Sequence, residues 1–426
     1  VTSMQPSASI LNTSRTNGKQ YADLCIFSID RLQIMSAYKI KITFIKNAAL
    51  LFRHEYLFFT LSRITFKEFM AMVLRLFLLV FVLFWGSPAL PAFEAEIARF
   101  NESYSEYKSL ASSRNWRSAL SALESAYDAA TVIHADSPAD LAKLRHLLGR
   151  VQLRVGERRK AMVHFRFALS AYERLYGEKS TELIEVLLDK AVAEEKEYLT
   201  IRHAKRAVRI AKADSALLLA QTNAKVANLL VKNRRSAGSY FRDAYTGFDE
   251  TVGRDDPQFA KVAFNWGKFE FANSRREAAI RYFNEAVDGF SKQDSQESRH
   301  FELITRAFLV QAYEAENMSD EATQHCLIIG AKKPFDPDAD FLPVYKKAPK
   351  YPRKALRTQT QGSVIVEFTV DEMGFTRDHK VFKSSDSVFD RSAIAAVQEF
   401  RYAPQYKNGV AVPTSGVMNQ ILYEIR

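Results

Sequence analysis

The 426-residue sequence has only two cysteines, Cys25 and Cys326, so neither a disulfide framework nor a cysteine-rich metal site can form. Its eight histidines are scattered, and none lies three or four positions from another, which excludes a helical pair of metal ligands. A phosphate-binding glycine-rich loop and a G-x-S-x-G motif are both missing. We therefore predict that the protein is not an enzyme and has no catalytic residues, no cofactor and no metal site.

Positive and negative charges are nearly balanced after residue 92. The formal net charge is +11, but residues 1–92 hold 10 Lys+Arg against 4 Asp+Glu, and the remainder holds 50 against 45. The basic footprint of a nucleic-acid-binding protein is therefore weak after residue 92, and we predict no nucleic-acid partner.

No apolar run reaches the length of a typical membrane span. The strongest run, residues 76–85, has ten residues without a polar side chain, follows Arg75 and precedes small residues up to Ala92. A spanning helix needs about 20 apolar residues, so this run is typical of a secretory signal peptide, with an uncleaved anchor as the alternative. We predict residues 72–92 as that signal or anchor, with Met70 or Met72 as the functional start. Residues 1–71 are then an over-extended or disordered N-terminus.

Strand-like alternation is missing from residues 93–331, where amphipathic helical patterns are continuous. Within them an alanine recurs, followed by a bulky residue four positions later and a small or apolar residue three further on. The intervals between the leading alanines are 42, 43, 33, 42 and 43 residues, a regularity that indicates structural repeats. The six occurrences are Ala119/Leu123/Ala126, Ala161/Phe165/Ala168, Ala204/Val208/Ala211, Ala237/Phe241/Ala244, Ala279/Phe283/Ala286 and the degenerate Ala322/Cys326/Ile329.

This spacing places all three residues of a triplet on one helix face, where alanine lets a neighbouring helix approach closely. The pattern resembles the second helix of a tetratricopeptide repeat, in a longer form of about 42 residues. The small residue expected on the first helix is present as Gly149 and Gly267, and Pro138 and Pro257 are placed to begin first helices. The resemblance implies an α-solenoid over residues 93–331 whose groove binds a second protein or peptide, with a passive spacer as the alternative.

Prolines become frequent after the repeats, and we predict a linker over residues 332–348 and a compact domain over residues 349–426. Residues 364–370 and 375–384 are predicted as strands joined by the turn 371–374. Apolar residues within 389–400 form one face of a helix, and residues 417–425 are again strand-like. The prediction is a small α+β domain of order β-β-α-β, in which one helix covers a three-stranded sheet.

The spaced residues of this segment carry a family resemblance. They are Tyr351, Pro352, Gly362, Val364, Phe368, Val370, Gly374, Phe389, Asp390, Ala393, Ala396, Val397, Phe400, Arg401, Pro404, Asn408 and Gly409. In this order they resemble the C-terminal domain of the TonB family, over less than a fifth of the chain. The predicted fold class is therefore mainly α, a tetratricopeptide-like α-solenoid followed by a small TonB-type α+β domain.

A three-stranded sheet leaves an open edge that can accept a strand from another protein. In the TonB family this edge pairs with a segment near the N-terminus of outer-membrane transporters, close to the Tyr-Pro pair. The resemblance thus implies the partner-binding residues Tyr351, Pro352, Asn419, Gln420, Ile421, Leu422 and Tyr423.

The resemblance also implies a periplasmic location and a role in transport across the outer membrane. An uncleaved anchor would add an inner-membrane tether. The alternative is a periplasmic scaffold or assembly protein without energy transduction, because residues 76–85 lack the membrane histidine that transducing family members share.

Overall fold

The computed structural model describes residues 89–231, 234–332 and 341–425. The chain divides into two compact units, Val1–Glu195 and Lys196–Arg426. The predicted start sites, the apolar run 76–85 and Cys25 lie outside the described residues. Among the helices of the described ranges, none is both long and apolar enough to cross a membrane.

The described part of the first unit consists of helices that pack chiefly on their neighbours in the chain, as stacked helical hairpins do. They are α1 (Ala89–Ser112), α2 (Trp116–Ile133), α3 (Pro138–Arg154), α4 (Arg158–Tyr176) and α5 (Leu183–Ala193).

The second unit continues with helices before a small sheet domain. They are α6 (Glu197–Asp214), α7 (Ala216–Leu229), α8 (Arg234–Thr251), α9 (Pro257–Ala272), α10 (Arg276–Ser291), α11 (Gln296–Ala315) and α12 (Ser319–Lys332). The pairs α7–α8, α9–α10 and α11–α12 pack closely, so each forms one helical hairpin of the array.

The alanine-based faces are buried, which confirms the repeat prediction. Every residue of the six triplets except the half-buried Val208 is buried. The bulky members Leu123, Phe165, Phe241 and Phe283 are at most 1% exposed. Burial of such a side chain stabilises a fold by about 1.5–3 kcal/mol, so packing on this face holds the second helices in place.

Two glycines set the distance between the helices of a pair. A Cβ atom on Gly149 would lie 2.6 Å from Cε1 of Phe165, and one on Gly267 would lie 2.6 Å from Cδ1 of Phe283. Only glycine permits so close an approach in a well-packed core. Pro138 and the equivalent proline of α9 begin their helices as predicted, where the missing amide proton has no helical partner to lose.

The terminal domain has the predicted β-β-α-β order with two additions. Its elements are α13 (Arg353–Arg357), β1 (Gly362–Val370), β2 (Thr376–Ser384), a 3₁₀ turn (Ser387–Phe389), α14 (Asp390–Val397), β3 (Gln405–Lys407), β4 (Val410–Val412) and β5 (Thr414–Tyr423). The antiparallel three-stranded sheet has the order β2-β1-β5. The short helix α13 and the β3–β4 hairpin are the additions.

Alternation along β1 builds the core of this domain. Val364, Val366, Phe368 and Val370 face one side and are at most 1% exposed. Helix α14 and the 3₁₀ turn before it cover that side with buried apolar side chains, among them Phe389. The β1 residues of the opposite face, Ile365, Glu367 and Thr369, are half-buried, in the alternation that the two-residue period predicts.

An Asn-Gly turn forms the β3–β4 hairpin. Asn408 has φ 52° and Gly409 has φ 79°, the positive values expected of a two-residue hairpin turn. The sequence predicts the positive φ values but not the paired strands, because each strand has only three residues.

Arg401 docks the terminal domain on the last helix pair of the array. Its side chain is 2% exposed, and its guanidinium carbon lies 3.5 Å from the centre of the Phe375 ring. The guanidinium donates to the hydroxyl of Thr323 on α12 and lies 3.4 Å from the carboxylate of Glu314 on α11. On the same interface, a Cβ on Gly330 would collide with a backbone oxygen of the β3–β4 region. The domain is therefore held by buried polar contacts as well as close packing.

The C-terminal part of the predicted linker packs against the same domain. The amides of Val344 and Tyr345 donate to the carbonyl of Arg401 at 2.8 and 3.1 Å, and the amide of Arg401 donates to the carbonyl of Tyr345 at 3.0 Å. Phe341 stacks on Tyr402 with ring centres 5.1 Å apart. These contacts fix the chain from residue 341 onward relative to the sheet.

Candidate functional site

Strand β5 is an edge of the three-stranded sheet. The hydrogen bonds of its neighbour β1 determine which backbone groups of β5 point away from the sheet. The carbonyl of Ser363 on β1 accepts from the amide of Ser385 at 3.0 Å, and the amide of Ser363 donates to the hydroxyl of Ser385 at 2.9 Å. Both backbone groups of Ser363 therefore point to the β2 side. Ser363 is paired with Leu422, so this is a non-hydrogen-bonded pair and Leu422 directs its own N–H and C=O away from β1.

The register between β1 and β5 runs without a shift from Tyr423 back to Val417, so the same direction recurs at every second residue. Met418, Gln420 and Leu422 thus present their N–H and C=O groups outward, and no strand of the described part of the chain pairs with them on that side. The side chains of the same three residues are exposed. We call these residues the outer row of β5.

The sequence-predicted residues of this strand divide into two sets. Gln420 and Leu422 belong to the outer row, whereas the backbone groups of Asn419, Ile421 and Tyr423 point toward β1. Ile421 and Tyr423 also bury their side chains in the domain core. Met418 is not among the predicted residues, although strict alternation from Leu422 places it in the outer row once the register is known.

The opposite edge, β2, has features that discourage pairing with another strand. Its register with β1 shifts twice, and Asp378 has φ 55°. Exposed basic side chains, Arg377, Lys380 and Lys383, line it. Bulges and edge lysines are devices that prevent added strands, so β5 is the accessible edge of the two.

Tyr351 contacts the end of β5, and Pro352 follows it in the chain. The ring of Tyr351 meets the ring of Tyr423 edge-on at 5.6 Å, and its hydroxyl donates to the carbonyl of Thr360 at 2.6 Å. Pro352 precedes the first residue of α13 and accepts from the amide of Leu356 at 2.9 Å. Tyr351 is therefore placed to position the end of β5, and both residues are half-buried.

Lys346 adds a cation next to this strand. Its ammonium group donates to the side-chain oxygen of Asn419 at 3.2 Å. Burial lowers the pKa of Lys346 from its ordinary value. Strand β5 itself contains no charged residue, and Lys346 brings a positive charge into contact with it.

The described ranges contain no group of three His, Cys, Asp or Glu side chains placed to hold a metal ion. Cys326 is buried on α12, and burial raises the pKa of its thiol to about 11. A thiol with such a pKa is protonated at neutral pH and is a poor nucleophile.

Residues 347–425 match a protein-family model described as the Gram-negative bacterial TonB protein C-terminal domain. No curated protein matches the chain.

Several solved structures are similar to parts of this chain. BtubC from P. vanneervenii is 16% identical with a TM-score of 0.31, and the match covers 59% of this chain and 97% of BtubC. The apo form of RapI is 15% identical with a TM-score of 0.40, covering 55% of this chain and 65% of RapI. A Podosopora anserina protein with nearly identical TPR-like repeats is 16% identical with a TM-score of 0.37, covering 44% of this chain and 92% of that protein.

The fold is thus mainly α, a tetratricopeptide-like array followed by a TonB-type C-terminal domain. Folds of these two types generally serve contacts with other proteins or peptides rather than catalysis. Within that class, the outer row of β5 is the feature of the terminal domain best suited to such a contact.

Proposed function

We propose that this is a non-enzymatic periplasmic protein of TonB type that binds outer-membrane transporters, or other envelope proteins, by adding one of their strands to β5. The observation that carries this proposal is the outer row, in which three residues direct their N–H and C=O groups outward next to exposed side chains. Main-chain hydrogen bonds would supply affinity, and Met418, Gln420 and Leu422 would select among partners. Through this contact the protein supports transport across the outer membrane.

The helical array supplies a second contact in this proposal. Its paired helices form a repeat architecture of the kind that exposes one continuous surface for an extended peptide or another protein. A partner bound on α11 or α12 would be held close to whatever β5 captures, since these two helices contact the terminal domain directly.

The docking of the terminal domain favours one other candidate function. A domain fixed through buried Arg401 stays with the array, which suits a periplasmic scaffold or assembly protein that joins two envelope components without energy transduction. The two candidates use the same edge and differ in the partner that occupies it.

Site-specific photo-crosslinking of the full chain in its own cells separates these candidates. A photoreactive residue replaces Gln420 on the outer row, and the matched control carries it at Lys380 on the opposite edge. Cross-links from position 420 to a segment near the N-terminus of outer-membrane transporters are the expected result. Cross-links to soluble periplasmic proteins alone would support the scaffold. Equal cross-linking from both positions would contradict a role for β5.

A proline at position 422 tests the main-chain contact itself. Leu422→Pro removes one outward N–H and places a ring against the added strand, whereas Leu422→Ala keeps the N–H. One hydrogen bond contributes about 1 kcal/mol, so we expect at least a fivefold loss of cross-linking yield at position 420 in the proline variant and little change in the alanine variant. If the proline variant cross-links as well as the wild type, the assignment of β5 is wrong.

The proposed location has its own test. Mass spectrometry of the native protein would identify its N-terminus, and fractionation would locate the protein in the cell. Peptides from residues 1–69 would contradict the proposed start at Met70 or Met72, and recovery in the cytosol would contradict the proposed signal or anchor.

A further inference from the structure

A lysine without a counter-charge lies on the helical array next to a group of phenylalanine rings. The ammonium group of Lys268 on α9 lies 4.7 Å from the centre of the Phe264 ring, one helical turn away. The ring of Phe264 meets Phe301 at 5.9 Å and Phe308 at 5.7 Å, both on α11. The ring of Phe271 meets Phe308 at 6.3 Å. We call these five residues of α9 and α11 the Lys268 face.

The Lys268 face is partly open to solvent. Lys268, Phe271, Phe301 and Phe308 are each half-buried, and Phe264 lies beneath them at 5% exposed. A half-buried group of aromatic rings next to a cation has the composition of a protein-binding surface, where aromatic side chains are enriched.

The carboxylates of α9 and of α11, the helices that form the Lys268 face, are already engaged. Helix α7 has none, and the one on α9, Glu270, accepts from Trp266 at 3.0 Å and from Arg275 at 3.2 Å. On α11, Glu297 pairs with Lys261 at 2.8 Å, and Glu314 accepts from Ser319 at 2.9 Å.

The remaining carboxylate of α11 is Glu302, which pairs with Arg306 at 2.8 Å and with Lys332. Lys268 has no hydrogen bond or ion pair among the described residues. Burial lowers the pKa of Lys268, and no carboxylate opposes that effect. An ammonium group that loses hydrating water without gaining an anion destabilises the fold. A bound carboxylate would offset this desolvation free energy, which is already present in the free protein.

We propose that the Lys268 face binds an extended segment of a partner protein in which one carboxylate side chain lies between apolar side chains. The carboxylate pairs with the Lys268 ammonium, and the apolar side chains cover the rings of Phe271, Phe301 and Phe308. A charge-assisted hydrogen bond in a partly desolvated site contributes more than a neutral one, which makes the carboxylate the selective element. This inference rests on the proposed binding role of the array and is independent of β5.

Two short peptides and the full chain test it. The probes are Gly-Ser-Leu-Glu-Phe-Ser-Gly-amide with a fluorophore on its N-terminal amine and the same peptide with Gln in place of Glu. We expect the Glu peptide to bind wild-type protein about tenfold more tightly than the Gln peptide by fluorescence anisotropy, and Lys268→Gln to abolish that preference. Lys292→Gln, which removes a positive charge from the C-cap of α10, should retain the preference.

The outcomes distinguish the parts of the proposal. Equal binding of both peptides to wild-type protein overturns the carboxylate assignment and leaves the array as a binding surface. If neither peptide binds at millimolar concentration, both the carboxylate assignment and the Lys268 face as a binding surface are overturned. Lys268→Met supplies the check on folding: because it removes a desolvated charge and keeps the side-chain length, its Tm should equal or exceed that of the wild type. A lower Tm for Lys268→Met would show that Lys268 stabilises the free fold, which contradicts the inference.

Discussion

Replacing Arg401 by methionine should loosen the terminal domain from the array. The side chain is 2% exposed, lies 3.5 Å above the Phe375 ring and reaches Glu314 at 3.4 Å. Breaking a buried ion pair by removing one partner typically costs 3–5 kcal/mol, because the other charge is left uncompensated. Glu314 keeps its hydrogen bond from Ser319 at 2.9 Å, so we expect the lower end of that range, about 3 kcal/mol.

The cost is measured as the free energy of unfolding of the full chain in urea, and as a fall in Tm of about 6–12 °C for a unit of this size. Hydrogen exchange should rise most at the docking surface, in α12 and in the β3–β4 hairpin. A double-mutant cycle of Arg401→Met with Glu314→Gln isolates the pair from the lost packing over Phe375.

A coupling energy within about 0.5 kcal/mol of zero would refute the account of Arg401 given above, because contacting residues that share a buried ion pair do not behave independently. Thr323→Val is a second control: it removes the hydroxyl that accepts from Arg401 and leaves the charge pair in place. It should cost about 1 kcal/mol, less than the loss of the guanidinium.

Three further predictions concern single side chains. Gly267→Ala should destabilise the fold by about 1–3 kcal/mol in urea unfolding, because its Cβ would lie 2.6 Å from Phe283, whereas Gly238→Ala, with its nearest neighbour at 3.6 Å, should be neutral or stabilising. Burial lowers the pKa of His325 from its ordinary value of 6.5 to about 4. Below pH 6.5 the imidazole is therefore protonated in the unfolded state while it remains neutral in the native state. The free energy of unfolding should therefore fall by about 3 kcal/mol between pH 6.5 and pH 4, and His325→Gln should remove that part of the dependence in a pH series of urea titrations. Tyr351→Phe removes a hydroxyl that donates at 2.6 Å and should lower thermal stability by about 1 kcal/mol, with cross-linking from position 420 retained; loss of cross-linking at unchanged stability would give Tyr351 a direct role in binding.

The helical array was predictable because its signal is local and periodic. Ala161, Phe165 and Ala168 lie on one face by spacing alone, and burial of all three follows from that face meeting a neighbouring helix. Val208 is half-buried although its triplet has the same spacing, since burial also depends on the neighbouring elements, which the pattern within one helix does not describe.

The terminal sheet was predictable in order but not in its edge chemistry. Alternation in β1 identifies Val364, Val366 and Phe368 as core. Which residues of β5 point their backbone outward depends on the pairing of Ser363 with Leu422, a contact between residues far apart in the chain. The docking through Arg401 was beyond sequence reasoning for the same reason, because its partners Thr323 and Glu314 belong to helices of the array.

Eleven residues, 333–343, separate the end of α12 from Val344, whose amide donates to the carbonyl of Arg401. With anchorage on both sides of so short a stretch, the terminal sheet has little freedom to swing away from the helices that carry it. A pulling force applied to β5 by an added strand would be transmitted through the buried guanidinium of Arg401 to α11 and α12. These helices would then bear part of the mechanical load, because the sheet is docked on them.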